Sequence, residues 1–100
     1  MTPGVDVISI GSNDLALSMG IPGEFDHPDL VAAYERVAAA TRKNGKHLRI
    51  GGIFEPQLVK RSIEIGSRMI MLGHDFGFMQ QAMRGKMGEL KKLLDPSLTT

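Results

Sequence analysis

Residues 8–28 read ISIGSNDLALSMGIPGEFDHP. An apolar, β-branched run stops at Gly11, a small polar turn follows, and one carboxylate, Asp14, stands just past it. The run Val5–Ile10 (VDVISI) is short and suits a pleated, buried surface, so it predicts a strand ending at Gly11. Asn13 and Asp14 then have two readings. One of them caps a helix beginning LALSM, or Asp14 lends its oxygens to something bound there.

The same punctuation recurs downstream. Pro22, Gly23 and Asp26-His27-Pro28 mark a loop, and Pro28 predicts the first residue of a helix with Asp26 or His27 near its cap. Leu30, Tyr34, Val37, Ala38 and Thr41 follow at helical spacing, with Gly45 suited to the far end. His47–Ile50 predicts a second strand, closed by Gly51-Gly52. Pro56 starts another helix with Leu58, Val59, Ile63 and Ile65 inward, ended by Gly66. Arg68–Leu72 (RMIML) predicts a third strand stopped by Gly73. A last helix runs from about Phe76 to Leu94, ended by Asp95-Pro96 and followed by the tail PSLTT. Three strand–glycine–loop–helix units in a row imply parallel strands. Such strands need cover on both faces, and the helices here supply one. The expected fold is therefore α/β: part of a closed barrel, or a small sheet completed by association.

Composition narrows the function classes. One hundred residues make one modest domain or a piece of a larger one, and 42% hydrophobic with 23% charged residues is globular rather than disordered. Net charge is +1, with 12 basic and 11 acidic residues well mixed, so nucleic acid and anionic membranes are not expected partners. The chain has no cysteine, which removes disulfides, thiolate metal sites and a cysteine nucleophile. A bound metal would take oxygen or imidazole ligands, favouring hard ions such as Mg²⁺ or Mn²⁺. Without a membrane-length apolar run or a signal-like start, the expected location is cytoplasmic.

Ligands of parallel α/β folds sit at the carboxyl ends of the strands. Here those ends are Gly11-Ser12-Asn13-Asp14, Gly51-Gly52-Ile53 and Gly73-His74-Asp75. Each opens with glycine, which lets backbone approach a ligand and leaves N–H groups unobstructed. His74-Asp75 reads as a turn histidine beside a cap aspartate, or as a pair able to hold a metal or move a proton. His27 and His47 read as a turn residue and a strand-edge residue. Met69, Met71, Met79, Met83 and Met87 read as core filling, or on the last helix as a face for another subunit. Lys86, Lys91 and Lys92 form a solvated helix face. Arg49 is the odd residue: in a short apolar strand it needs a partner or an exit to water.

GVDVISIGSNDLALSMGIPGEFDHPDL resembles the metal-dependent 2-oxo-acid (pyruvate) class II aldolase family. That family includes 4-hydroxy-2-oxoheptanedioate and 2-dehydro-3-deoxyglucarate aldolases, and it lies beside the citrate lyase β-like proteins. Its pattern G-P-x-D-L-(S/A)-x-x-(M/L)-G, a loop and HP is met by Gly11-Ser12-Asn13-Asp14-Leu15, Met19-Gly20 and His27-Pro28. IGGIFEP and MLGHDFGFM look like the family's seventh and eighth strand ends. Three departures stand out: Ser12 replaces a usual proline, and Arg49 and His74 replace small residues.

The resemblance implies that residues 1–100 are the C-terminal portion of a (β/α)₈ TIM barrel, about its last three βα units. It implies reversible, divalent-metal-dependent cleavage of 4-hydroxy-2-oxo acids to pyruvate and an aldehyde. By resemblance Asp14 is one of two acidic ligands to Mg²⁺ or Mn²⁺, and Gly11, Ser12, Asn13 and Asp14 hold the pyruvate. The second metal ligand, the acid–base histidine and a substrate arginine belong to earlier units of the family barrel. No catalytic residue is therefore assigned in this chain, and its activity alone is expected to be weak or nil. The expected partners are a small 2-oxo acid such as pyruvate, and either further copies of the chain or a complementary N-terminal half. Two alternatives accompany this reading: one half of a split aldolase, and a non-catalytic oligomeric scaffold or small-ligand binder.

Overall fold

The structure, a computed structural model, describes residues 2–94. The predicted stop at Asp95-Pro96 and the tail lie outside the described residues. The chain forms β1 (Val7–Gly11), α1 (Ser12–Ser18), α2 (Pro28–Lys43), β2 (His47–Gly51), α3 (Pro56–Ile65), β3 (Ser67–Met69) and α4 (Asp75–Lys92). The strands make one parallel sheet in the order β1-β2-β3. This is the expected α/β arrangement with parallel strands.

Register explains the two faces of the sheet. Ile8 pairs with Leu48 and Ile10 with Ile50, while Ser9 pairs with Arg49 and Gly11 with Gly51. Side chains alternate along a strand, so the isoleucines and leucine share one face and Ser9, Arg49 and the two glycines share the other. Helices α1, α2 and α3 pack on the apolar face. There Ile10, Ala16, Leu30, Tyr34, Ala38, Leu48, Ile50 and Ile53 form the core. The Ser9/Arg49/Gly11/Gly51 face has no helix over it among the described residues.

Local chemistry sets the helix ends. His27 is the N-cap of α2, its Nδ1 accepting from Asp29 N–H at 3.1 Å, and Pro28 fills the first helical position. At the other end Lys46 N–H donates to Thr41 O and Gly45 has φ of +64°, the left-handed stop expected of a glycine there. Pro56 starts α3, and Gly66 follows its last residue at φ of +135°.

Four expectations are corrected. Strand β1 begins at Val7 rather than Val5, because ladder pairing starts where His47 N–H donates to Asp6 O. β3 is Ser67–Met69, not Arg68–Leu72; beyond Met69 it finds no ladder partner, and Ile70, Met71 and Leu72 are exposed. On α3 the only buried residue is Ser62; Ile63, expected inward, is 45% exposed, and Leu58, Val59 and Ile65 are half-buried. The methionines expected in the core are all exposed, since no element of the described chain lies over α4 or the end of β3. Helix α4 buries no residue at all. The molecule measures 62 × 28 × 21 Å with a radius of gyration of 18.6 Å, where a compact domain of this length has about 13 Å.

Candidate functional site at the strand ends

Gly11 and Gly51 are neighbours at the carboxyl ends of β1 and β2. Helix α1 begins at once, with Gly11 itself as N-cap and no side chain closing it. Asn13 and Asp14 therefore sit inside the first turn, and neither caps the helix as one of the two readings had it. An acidic side chain in a first turn is favoured by the exposed N–H groups there. The Asp14 carboxylate is exposed and folds back toward the strand end: its Oδ2 lies 3.6 Å from where a Cβ on Gly11 would stand.

Gly52 closes the site from β2. Its φ is +79°, and an added Cβ would stand 2.9 Å from Asn13 Nδ2 and 3.7 Å from the Ser12 and Asn13 backbone nitrogens. Glycine is required here twice over, by backbone conformation and by the close approach of the β1–α1 turn. Gly11, Gly51, Gly52, Asn13 and Asp14 are thus gathered at one end of the sheet.

Ser12 is different. Its side chain is fully buried, and Tyr34 O–H donates to its Oγ at 2.7 Å. Burial raises the Tyr34 hydroxyl above its usual 10.0, and the Ser12 bond works the other way. Ser12 therefore offers a ligand only its backbone. The signal for this was present in the sequence as a hydroxyl residue in a position resembling one held by proline, with Tyr34 on the inward face of the next helix.

Arg49 meets the need for a partner predicted from its place in an apolar strand. Its Nη1 donates to Ser9 Oγ at 2.7 Å. What sequence reasoning missed is the direction of the side chain: Nη1, Cζ and Nη2 lie 3.0–3.2 Å from where a Cβ on Gly51 would stand. The guanidinium thus lies over the last residue of β2.

His74 is the N-cap of α4, its Nδ1 accepting from Gly77 N–H at 3.1 Å, so the cap is the histidine and not the aspartate expected beside it. Asp75 Oδ1 accepts from Phe76 N–H at 2.8 Å. His74 borders a cavity of about 160 Å³ with Phe54, Leu72, Gly73 and Phe78. A roomier hollow of about 510 Å³ lies on the helical side, between α3 and the loop before α2, away from the β1 end. Among the described residues no three of His, Asp and Glu stand close enough together to hold a metal ion. Asp14 alone does not make a metal site, and the residues present do not suffice for one.

Residues 1–82 match the family described as HpcH/HpaI aldolase/citrate lyase. The chain is 31% identical, over 91% of its length and 35% of the relative's, to the 5-keto-4-deoxy-D-glucarate aldolase of Klebsiella pneumoniae. It is 37% identical to the 4-hydroxy-2-oxo-heptane-1,7-dioate aldolase of Escherichia coli, over 79% of this chain and 30% of that one. A crystal structure of a HpcH/HpaI aldolase/citrate lyase family protein from Burkholderia cenocepacia superposes with a TM-score of 0.79 at 33% identity. That match covers 90% of this chain and 35% of the other. The chain spans about a third of the length of the curated relatives it matches.

Proposed function

The chain belongs to the HpcH/HpaI aldolase/citrate lyase family, and from that premise we propose that residues 1–100 are the C-terminal portion of a (β/α)₈ aldolase barrel. The proposed reaction is the metal-dependent, reversible cleavage of a 4-hydroxy-2-oxo acid to pyruvate and an aldehyde. The observation that carries this reading is the meeting of Asn13, Asp14 and Gly52 at neighbouring strand ends, the place where such folds bind their ligands.

In this reading the backbone N–H groups of Ser12 and Asn13, with the Asn13 amide, receive the carboxylate of a 2-oxo acid beside Gly11. Asp14 is one ligand of a divalent ion, Mg²⁺ or Mn²⁺, whose other ligands come from outside the described residues. The described residues do not by themselves assemble the site of that ion. The remaining acidic ligand and the acid–base group come from a complementary N-terminal half or further copies of the chain, and the chain alone is weak or inactive. The proposed location is the cytoplasm; no helix among the described residues is long and apolar enough to cross a membrane. Neither nucleic acid nor membrane is proposed as a partner.

Pyruvate release from a 4-hydroxy-2-oxo acid, followed with a coupled dehydrogenase, tests the reading. With Mn²⁺ the purified chain is expected to match the metal-only control, because one lost acid–base group costs ~10² to 10⁴-fold and a lost ligand compounds it. Adding the N-terminal portion of a relative is expected to restore turnover that Asp14→Ala abolishes. Turnover by the chain alone, lost in Asp14→Ala, would show that it completes its own site. Restored turnover indifferent to Asp14→Ala would remove Asp14 from the site.

A further inference from the structure

Arg49 stands on the open face of the sheet, where its partners in register are Ser9 on β1 and Met69 on β3, and the next rung toward β1 is Gly11 with Gly51. Its guanidinium runs toward the carboxyl end and lies against Gly51, where an added Cβ would be 3.0 Å from Nη1 and 3.2 Å from Nη2. On the neighbouring glycine, Asp14 Oδ2 takes the matching position, 3.6 Å from a Cβ on Gly11. Adjacent strands are about 4.8 Å apart, so the guanidinium and the carboxylate lie within about 12 Å of each other at neighbouring glycines. They are not an ion pair: the charged pair among the described residues is Lys86–Glu89, and His27 Nδ1, 3.9 Å from Asp29 Oδ2, accepts from Asp29 N–H instead.

Arg49 is half-buried as a residue while its guanidinium bond to Ser9 is open to solvent, so the group is held in place and accessible to an anion. Among the described residues Arg49 has one neutral acceptor, the Ser9 hydroxyl, and that bond uses Nη1. Ser9 holds the group in place, and Gly51 leaves room for it to lie along the strand. The remaining N–H donors form a planar fork of the kind that matches a carboxylate.

We propose that Arg49 is a substrate-positioning residue that binds a carboxylate of the small organic acid on the open face, beside Gly51 and with Asp14 at the neighbouring Gly11. The identity of the acid rests on the aldolase reading; the existence of the anion site does not. A 2-oxo acid whose own carboxylate sits at the Ser12 and Asn13 N–H groups presents a second carboxylate, farther along the molecule, to Arg49.

The test uses the full chain in metal-stripped buffer, titrated with oxalate and separately with acetate. The signals read are the Arg49 Nε–H and the Gly51 amide in ¹⁵N NMR. Saturable oxalate shifts are expected at both, with affinity about tenfold or more weaker in Arg49→Met and partly kept in Arg49→Lys. Ser9→Ala, which frees the guanidinium, is expected to weaken binding less than Arg49→Met. No saturable shift at Arg49 in the unaltered chain, a reading that needs no variant to fold, overturns the proposal. Equal affinity in Arg49→Met does the same. A parallel titration with Mn²⁺ and oxalate separates the two ideas. Loss in Asp14→Ala alone keeps the aldolase reading and removes Arg49; loss in Arg49→Met alone keeps the anion site and removes the metal role of Asp14.

Discussion

Helices α2 and α4 carry similar apolar spacing and meet opposite environments. In α2, Leu30, Tyr34, Ala38 and Thr41 are buried against the sheet. In α4, Met79, Met83, Met87 and Leu90 recur at three and four but are 55–60% exposed. Periodicity states that a face is meant to be covered; it does not say by what. For α2 the cover is β2, contributed by the same chain. For α4 the chain holds none among the described residues, and we propose that this exposed apolar stripe is an association surface. The open face of the sheet and its two outer strands carry the same message.

The contrast is broken most severely in the core. Leu30→Ala is expected to cost about 2–5 kcal/mol, because Leu30 is fully buried and its site cannot collapse freely. Urea denaturation reads this directly, and a loss under about 1 kcal/mol would mean the α2 side is no better packed than α4. Next comes Gly52→Ala, expected to cost roughly 1–2 kcal/mol from its left-handed backbone alone. That variant also pushes Asn13 aside, so the Asn13 amide resonance is expected to move while those of α4 stay put.

How much of this was legible in the sequence follows from where each element finds its partners. Pro28 and Pro56 mark both helix starts because proline's missing N–H has no use there in any fold. The ends of β1 and β2 were readable from Gly11 and Gly51, where the chain turns away. β3 was read too far because Ile70-Met71-Leu72 has the composition of a strand, and only a neighbouring strand decides whether it becomes one. At the site, Asp14 was singled out from its position after Gly11. Its cap reading failed because glycine itself takes the N-cap place. The direction of Arg49 was not legible: it depends on the missing Cβ of Gly51 and on Ser9, 40 residues earlier, lying beside it.

A smaller effect is expected at the bond joining α2 to the site. Tyr34→Phe leaves the buried Ser12 hydroxyl without its donor and is expected to cost about 1 kcal/mol. It also has a pH signature. Burial raises Tyr34 above 10.0 in the folded chain, so between the unfolded and folded values the native state keeps a proton the unfolded chain has lost. Its contribution is complete below pH 10 and declines as pH rises through the folded value. Thermal melts from pH 8 to 11 are expected to show that decline in the unaltered chain and less of it in Tyr34→Phe.

The smallest local effect belongs to α4. Met83→Gln is expected to change the stability of the folded unit by no more than about 0.5 kcal/mol, since an exposed side chain gives up little. Its consequence lies in association: Met83→Glu with Leu90→Glu is expected to lower the particle mass while leaving the circular dichroism unchanged. We propose that the faces left uncovered in this chain are covered in the working particle, and its mass in solution tests that most directly. Light scattering at micromolar concentration is predicted to give a multiple of 10.9 kDa for the chain alone. A well-folded particle of 10.9 kDa would contradict it.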